Sequence, residues 1–261
     1  MLKRITLITI TTFALILNVS ASSDGELLLK KNDPAEVKEC WEGFNRASFA
    51  LNQGLDKVIL RPVASMYRKL PIPVKSGVSN SLDNLSNVVT IPNNLLQGEF
   101  KKAGVNTGRF VVNTTVGILG LIDVATLLGF EEYEKEDYGQ TLAAHGAGPG
   151  CYIVLPVLGP STARDTVALA VNFVGGDAWY NVTVDKDTHH FSDFDYYSSK
   201  VMGGVDFRGK NYDSIDNLEK NSIDFYASVK SLYLQDRQQK ILNTKAIVDT
   251  QNDGDWDEIE N

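Results

Sequence analysis

The chain has 261 residues, 43% hydrophobic and 22% charged, with 21 glycines and 8 prolines. That apolar content can fill a core and excludes a disordered chain, and so few glycines and prolines exclude collagen-like or low-complexity sequence. A formal net charge of -8 offers nucleic acid no basic surface, and two cysteines and three histidines cannot build a disulfide-dense scaffold or a histidine-rich metal site.

Lys3 and Arg4 precede an uncharged run, residues 5–19, which ends in the small-residue stretch Val19-Ser20-Ala21. This is the layout of a secretory signal peptide over residues 1–21, cleaved after Ala21. An uncleaved anchor is the alternative, although the run falls short of the about 20 residues a spanning helix needs. A lipoprotein needs a cysteine directly after such a run. Ser22 and Ser23 stand there instead, and the first cysteine is Cys40, so export without acylation is expected. Residues 22–32 read as a linker.

From residue 33 to 242 the apolar period is mostly helical. Phe44, Ala47, Leu51, Leu55 and Val58 follow three- and four-residue steps, which gives one apolar face. Pro62 opens a second short helix that Pro71 and Pro73 close, and a third runs from Pro73 through Leu82 and Leu85. Residues 110–130 hold a single charge, Asp123. Their length suits a spanning helix, but Asn113, Thr114, Thr115, Thr126 and the internal glycines oppose one. Two readings stay open: a buried helix pair bent at Gly117 and Gly120, or a hairpin within a membrane with its backbone bonded inside helices.

Residues 151–158 form the best extended segment. A helix apolar on both sides follows from Pro160 to Val174, stopped by Gly175 and Gly176. Beyond Lys210, the residues Ile215, Leu218, Phe225, Val229 and Leu232 predict one long amphipathic helix or a broken pair. Asp249, Asp253, Asp255, Asp257, Glu258 and Glu260 make residues 243–261 an acidic tail, read as a solvated, disordered end. The fold class is mainly α, a single domain with little or no β structure.

Catalytic motifs do poorly. The run Gly-Val-Asp-Phe-Arg-Gly-Lys at residues 204–210 matches the start of a phosphate-binding loop, but Asn211 stands where Ser or Thr must hold magnesium. The nucleophile-elbow and two-histidine zinc motifs are missing. His189 and His190 lie near Asp187, Asp193 and Asp195, yet adjacent side chains diverge, so a solvated loop is the better reading than a metal site. His145 precedes Gly146, Gly148 and Gly150, which read as a turn or flexible hairpin before a catalytic loop. No enzyme, cofactor or metal is expected. Cys40 and Cys151 are either free or a candidate disulfide, which would contribute about 4 to 5 kcal/mol by closing so long a loop.

Several short motifs occur in order. They are Trp41-Glu42-Gly43-Phe44-Asn45-Arg46, Arg61-Pro62-Val63-Ala64, Ser79-Asn80, Asn84-Leu85, Pro92 and Leu96-Gln97-Gly98. Then come Arg109-Phe110, Asn113-Thr114, Gly120-Leu121-Ile122-Asp123-Val124-Ala125, Tyr138-Gly139-Gln140-Thr141-Leu142 and the glycine turn. Leu155-Pro156-Val157-Leu158-Gly159-Pro160 and Arg164-Asp165 follow. Their order and spacing resemble the MlaA/VacJ family across residues 33–242.

The resemblance implies a helical ring lying in one membrane leaflet, at the periplasmic face of an outer membrane. Such a ring gives mislocalised phospholipid an amphipathic path to a periplasmic carrier upstream of an inner-membrane ABC transporter. It keeps the outer membrane's lipid asymmetry and sits beside a trimeric porin. Gly146, Gly148 and Gly150 are then expected to gate the path, and Asn113, Thr114, Thr115 and Asp123 to line it. Phe44, Asn45, Arg46, Arg61, Pro62, Arg109, Arg164 and Asp165 carry the family pattern as structural residues. The missing lipoprotein cysteine departs from that pattern. A soluble periplasmic hydrolase and a surface structural or adhesive protein are the competing classes.

Overall fold

The computed structural model describes residues 37–184 and 191–242; the predicted signal peptide, the linker, the acidic tail and the His189-His190 pair lie outside the described residues. Helix α1 (Glu42–Leu55) runs through a π-helical turn (Asp56–Leu60) into α2 (Arg61–Arg68). Pro62 stands in the first turn of α2, as expected, although no break in the chain separates α2 from α1. Its ring crowds the preceding turn and it lacks an N–H, and the wider turn, in which the Arg61 N–H donates to the Asp56 carbonyl, absorbs both.

The long α3 (Ile72–Leu96) and α4 (Phe100–Thr115) pack along each other. After the short α5 (Val124–Leu127) and α6 (Tyr138–Ala144), β1 (Tyr152–Leu155) pairs antiparallel with β2 (Gly159–Thr162), Tyr152 opposite Thr162 and Leu155 opposite Gly159. The helix expected from Pro160 thus begins later, as α7 (Ala163–Val171), which continues in a π turn (Asn172–Gly176). Pro160 sits in a strand because the hairpin takes residues 159–162 first, and Thr162 then caps α7 by accepting from the Asp165 N–H at 3.2 Å.

Helices α8 (Ala178–Thr183) and α9 (Asp193–Lys210) pack on α3, and α9 also on α2. The phosphate-loop-like run lies inside α9, so it forms no loop that could cradle a phosphate. A capping box starts that helix: Ser192 Oγ accepts from the Asp195 N–H, and Asp195 Oδ2 accepts from the Ser192 N–H. The predicted pair beyond Lys210 is α10 (Tyr212–Asn221) and α11 (Phe225–Ile241), broken at Ser222–Asp224.

Aspartates at helix starts also serve as clamps. Asp137 caps α6 and accepts two bonds of 2.7 Å from Arg237 on α11, while Asp224 caps α11 and pairs with Arg46 on α1 at 3.0 Å. Arg237 also reaches Asp165 on α7, which takes further bonds from Arg164 and Tyr233. Burial alone would raise the Asp165 pKa; the guanidiniums of Arg237 and Arg164 overcome it and hold the carboxyl at about 2.

Packing is inverted over much of the molecule. One apolar cluster, Tyr152, Val154, Tyr226 and Leu234, sits between the hairpin, α1 and α11, with Phe49 edge-on to Tyr226 at 5.3 Å. Elsewhere the buried apolar side chains are mostly alanines (Ala64, Ala103, Ala125, Ala143, Ala168), and the buried set is rich in asparagine: Asn84, Asn87, Asn93, Asn94, Asn106, Asn113. Large aliphatic and aromatic side chains lie outside instead.

Candidate functional site

Asn80, Asp83, Asn84 and Asn87 recur on α3 at the spacing that puts polar groups on one helix face. They line a cavity of about 350 Å³, closed on the other side by Arg109, Asn113, Asp123 and Tyr133. Thr90 and Asn94 extend the stripe, bonded to Tyr133 at 2.9 Å and to Asn106 at 2.9 Å. A second cavity, about 580 Å³, lies among α3, residues 135–137, α8 and α9, and mixes Leu82, Leu85, Val89 and Phe207 with Lys135, Glu136, Asp177 and Lys200. Asp83 lines both cavities. The interior is therefore amphipathic, with one carboxylate shared by the two cavity walls.

Burial raises the pKa of Asp83, lowers that of Lys135, and pushes Glu136 up to about 7. Glu136 is 2% exposed, with Gln97 Nε2 donating to it at 3.0 Å. Asp123 differs: burial opposes its charge, but donors from Thr126 and Asn113 and the adjacent Arg109 hold its pKa below the usual range. Arg109, 3% exposed, donates to Asp123 Oδ2 at 2.7 Å, to the Glu131 carbonyl at 2.8 Å and to Thr126 Oγ1 at 3.0 Å.

Residues 110–130 resolve into a return, not a span. Helix α4 ends at Thr115, the chain turns through Ile118, Leu119 and Gly120 at positive φ, and α5 follows. A Cβ at Gly117 would collide with the Ile122 carbonyl, and one at Gly120 would stand 2.6 Å from the Asn84 Cβ, so both turn positions require glycine. The tip carries Val116, Ile118, Leu119, Leu121, Ile122, Leu127 and Leu128 on the surface, Leu119 with 70% of its area exposed. Arg109, just before the segment, donates to the Glu131 carbonyl, just after it, at 2.8 Å, so the two ends of the segment stand together. Among the described residues no helix is long and apolar enough to cross a membrane.

The sequence-predicted residues divide. Asn113 and Asp123 line the smaller cavity, and Thr114 accepts from Asn84 Nδ2 at 2.8 Å. Thr115 is a correction: it faces outward, donating to the Val111 carbonyl at 2.7 Å, because the next helical position turns away from α3. The segment holding Gly146, Gly148 and Gly150 lines neither cavity. It closes α6 with Gly146 at positive φ and is tied to α7 by the Arg164 N–H on the Pro149 carbonyl at 3.2 Å.

Cys40 and Cys151 are bonded, with Cα atoms 5.4 Å apart. Phe44 is exposed on α1, whereas Asn45 is fully buried and clamps β1, accepting from the Val154 N–H and donating to the Tyr152 carbonyl. Arg46 stacks on Tyr226, and Arg61 shares Asp216 with Arg208. The asparagine stripe of α3 is what sequence reasoning missed. Its signal is a polar period of three and four residues within a segment scanned only for apolar ones.

A sequence profile described as MlaA lipoprotein matches residues 37–240. An uncharacterized protein of Rickettsia bellii is 35% identical over 80% of this chain and 79% of its own. The intermembrane phospholipid transport system lipoprotein MlaA of Escherichia coli K12 is 33% identical over 83% of this chain and 81% of its own. A structure solved in work on the structural basis for maintenance of bacterial outer membrane lipid asymmetry superposes with a TM-score of 0.65 at 32% identity, over 79% of this chain and all of that one.

Proposed function

The chain belongs to the MlaA lipoprotein family, and from that premise we propose that it is an outer-membrane component of a phospholipid transport system that maintains lipid asymmetry. The observation that carries this reading is the inverted packing: a polar, cavity-bearing interior enclosed by exposed leucines, isoleucines, valines and phenylalanines. Water-soluble proteins rarely leave so many large apolar side chains exposed, whereas a ring immersed in one leaflet requires it. The interior then offers the headgroup polar contacts that hydrocarbon cannot, and the lipid crosses by passage without a catalytic step.

In this reading the apolar belt, with the tip at residues 116–122, holds the protein in the inner leaflet. The relatives are named lipoproteins, which runs against the expectation of export without acylation. Asn113, Thr114 and Asp123 belong to the passage wall, and Gly146, Gly148 and Gly150 form a moving element that acts from outside the two cavities, between α6 and α7. The partners are a trimeric porin at the side of the ring and a periplasmic lipid carrier, upstream of an inner-membrane ABC transporter, that accepts the phospholipid. Expressing the full chain in a Gram-negative strain without its own family member tests the proposal. Restored resistance to detergent with EDTA, with less phospholipid in the outer leaflet, is expected. A correctly delivered protein that leaves the outer leaflet unchanged overturns it.

A further inference from the structure

We infer that the smaller cavity binds the primary ammonium group of an aminophospholipid headgroup; this deepens the function proposed above and rests on it. Asp83, Asn84 and Asn87 line that cavity from adjacent turns of α3. Asn84 and Asn87 are 4% and 2% exposed, and each turns its Nδ2 away, to Thr114 and to the Asp83 carbonyl. Each Oδ1 is left buried without a partner. Buried carbonyls in that state call for a donor.

Charge selects which donor. The Asp123 carboxylate is matched to Arg109, while Asp83 makes no ion pair among the described residues. The charge left over on this wall is negative, which attracts a cation. A primary ammonium brings three N–H donors to these three acceptors; a choline headgroup brings none, and a glycerol headgroup brings no charge. A metal ion fits poorly, since no cluster of three His, Cys, Asp or Glu capable of holding one occurs among the described residues. Across the cavity Arg109 Nε is also buried without a partner, a donor set for the phosphate oxygen of the same headgroup.

The test uses the full-length protein in detergent, with short-chain phosphatidylethanolamine, phosphatidylcholine and phosphatidylglycerol competing for a bound fluorescent phospholipid. The ethanolamine lipid should compete about tenfold better than the other two, a difference of about 1.4 kcal/mol. In Asp83→Asn that preference should fall to parity, and Asn87→Ser, which keeps the charge, should reduce it. Should Asp83→Asn not fold, the Asn87→Ser result decides alone. Equal competition by all three lipids in the native protein overturns the inference and leaves the transport reading standing. Failure of every phospholipid to bind overturns both. Free ethanolamine competing as well as the lipid points to a small-amine site and overturns the headgroup assignment, as does a preference that survives both substitutions.

Discussion

Arg109 Nη2 lies 2.7 Å from Asp123 Oδ2, so the lone charge of the most apolar stretch is neutralised inside its own hairpin. The same carboxylate starts α5 by accepting from the Thr126 N–H, and Asn113 bridges it to the Ala125 N–H. One aspartate therefore orients the return of the chain and cancels the cation beneath it.

Asp123→Ala should be strongly destabilising, because it strands a buried guanidinium; breaking one side of such a pair costs about 3 to 5 kcal/mol. Denaturant unfolding in detergent measures it. The double variant Asp123→Ala with Arg109→Met should recover part of the loss, and strictly additive effects would deny the coupling.

The segment should enter and leave the membrane on one side. Single cysteines at Lys101 and Glu131, with the Cys40–Cys151 bridge left intact, should both react with a water-soluble maleimide from the periplasmic face. A cysteine at Leu119 should be shielded. Reaction of Lys101→Cys and Glu131→Cys from opposite faces would establish a true span and defeat the hairpin.

Glu136 sets a pH dependence. Its pKa rises on folding to about 7, so the folded state holds a proton that the unfolded chain has already released. Stability should therefore fall as pH rises from about 4.5 to 7, and level off above. Glu136→Gln should be nearly neutral near pH 4.5 and stabilising at pH 8, by about 2 to 3 kcal/mol, since each tenfold change in ionisation is about 1.4 kcal/mol. Melting curves across that range check it; a gain independent of pH would show that ionisation is not the cause.

The opposite sign holds at Asp165, whose pKa is depressed to about 2 by Arg237 and Arg164 against the burial that would raise it. The stability it supplies is complete above its ordinary range and fades as pH falls toward about 2. Arg237→Gln removes the cation from both Asp137 and Asp165. Its deficit should be largest at pH 7 and shrink in acid, and a deficit that grows on acidification would contradict the assignment.

Gating by the glycine loop calls for a variant the fold tolerates. Gly146 sits at φ +84°, which proline cannot adopt, whereas Gly148 has no such conformation. Gly148→Pro should keep the melting temperature and lose phospholipid transport. Full transport at an unchanged melting temperature would count against a moving loop.

Much of the framework was legible before any coordinates. The bend of residues 110–130 falls at Gly117 and Gly120 as read, because steric demand for glycine is local. Asp123 pairs with Arg109 fourteen residues back in the chain, and Arg164 with its neighbour Asp165. Pro62 opens its helix as expected, whereas hairpin pairing delays the helix expected from Pro160. Helix α9 escaped notice since its aromatic and glycine-rich run has no clear apolar period.

By itself the sequence determined the helical class, the return of the apolar segment and the ordered motifs of the family, all of which rest on spacing within one element. Only the tertiary structure decided which side of each helix is inside. Periodicity reports that a helix has two faces; it does not say whether water or hydrocarbon surrounds them. On α3 the asparagine stripe is buried while Ile72, Val74, Leu95 and Leu96 are exposed, the reverse of a helix in water. That choice goes with pairings that reach α3 from far along the chain, such as Ser79 Oγ donating to Asp206 and Thr141 Oγ1 donating to Asn93 Oδ1. A local reading of sequence has no means to assign them.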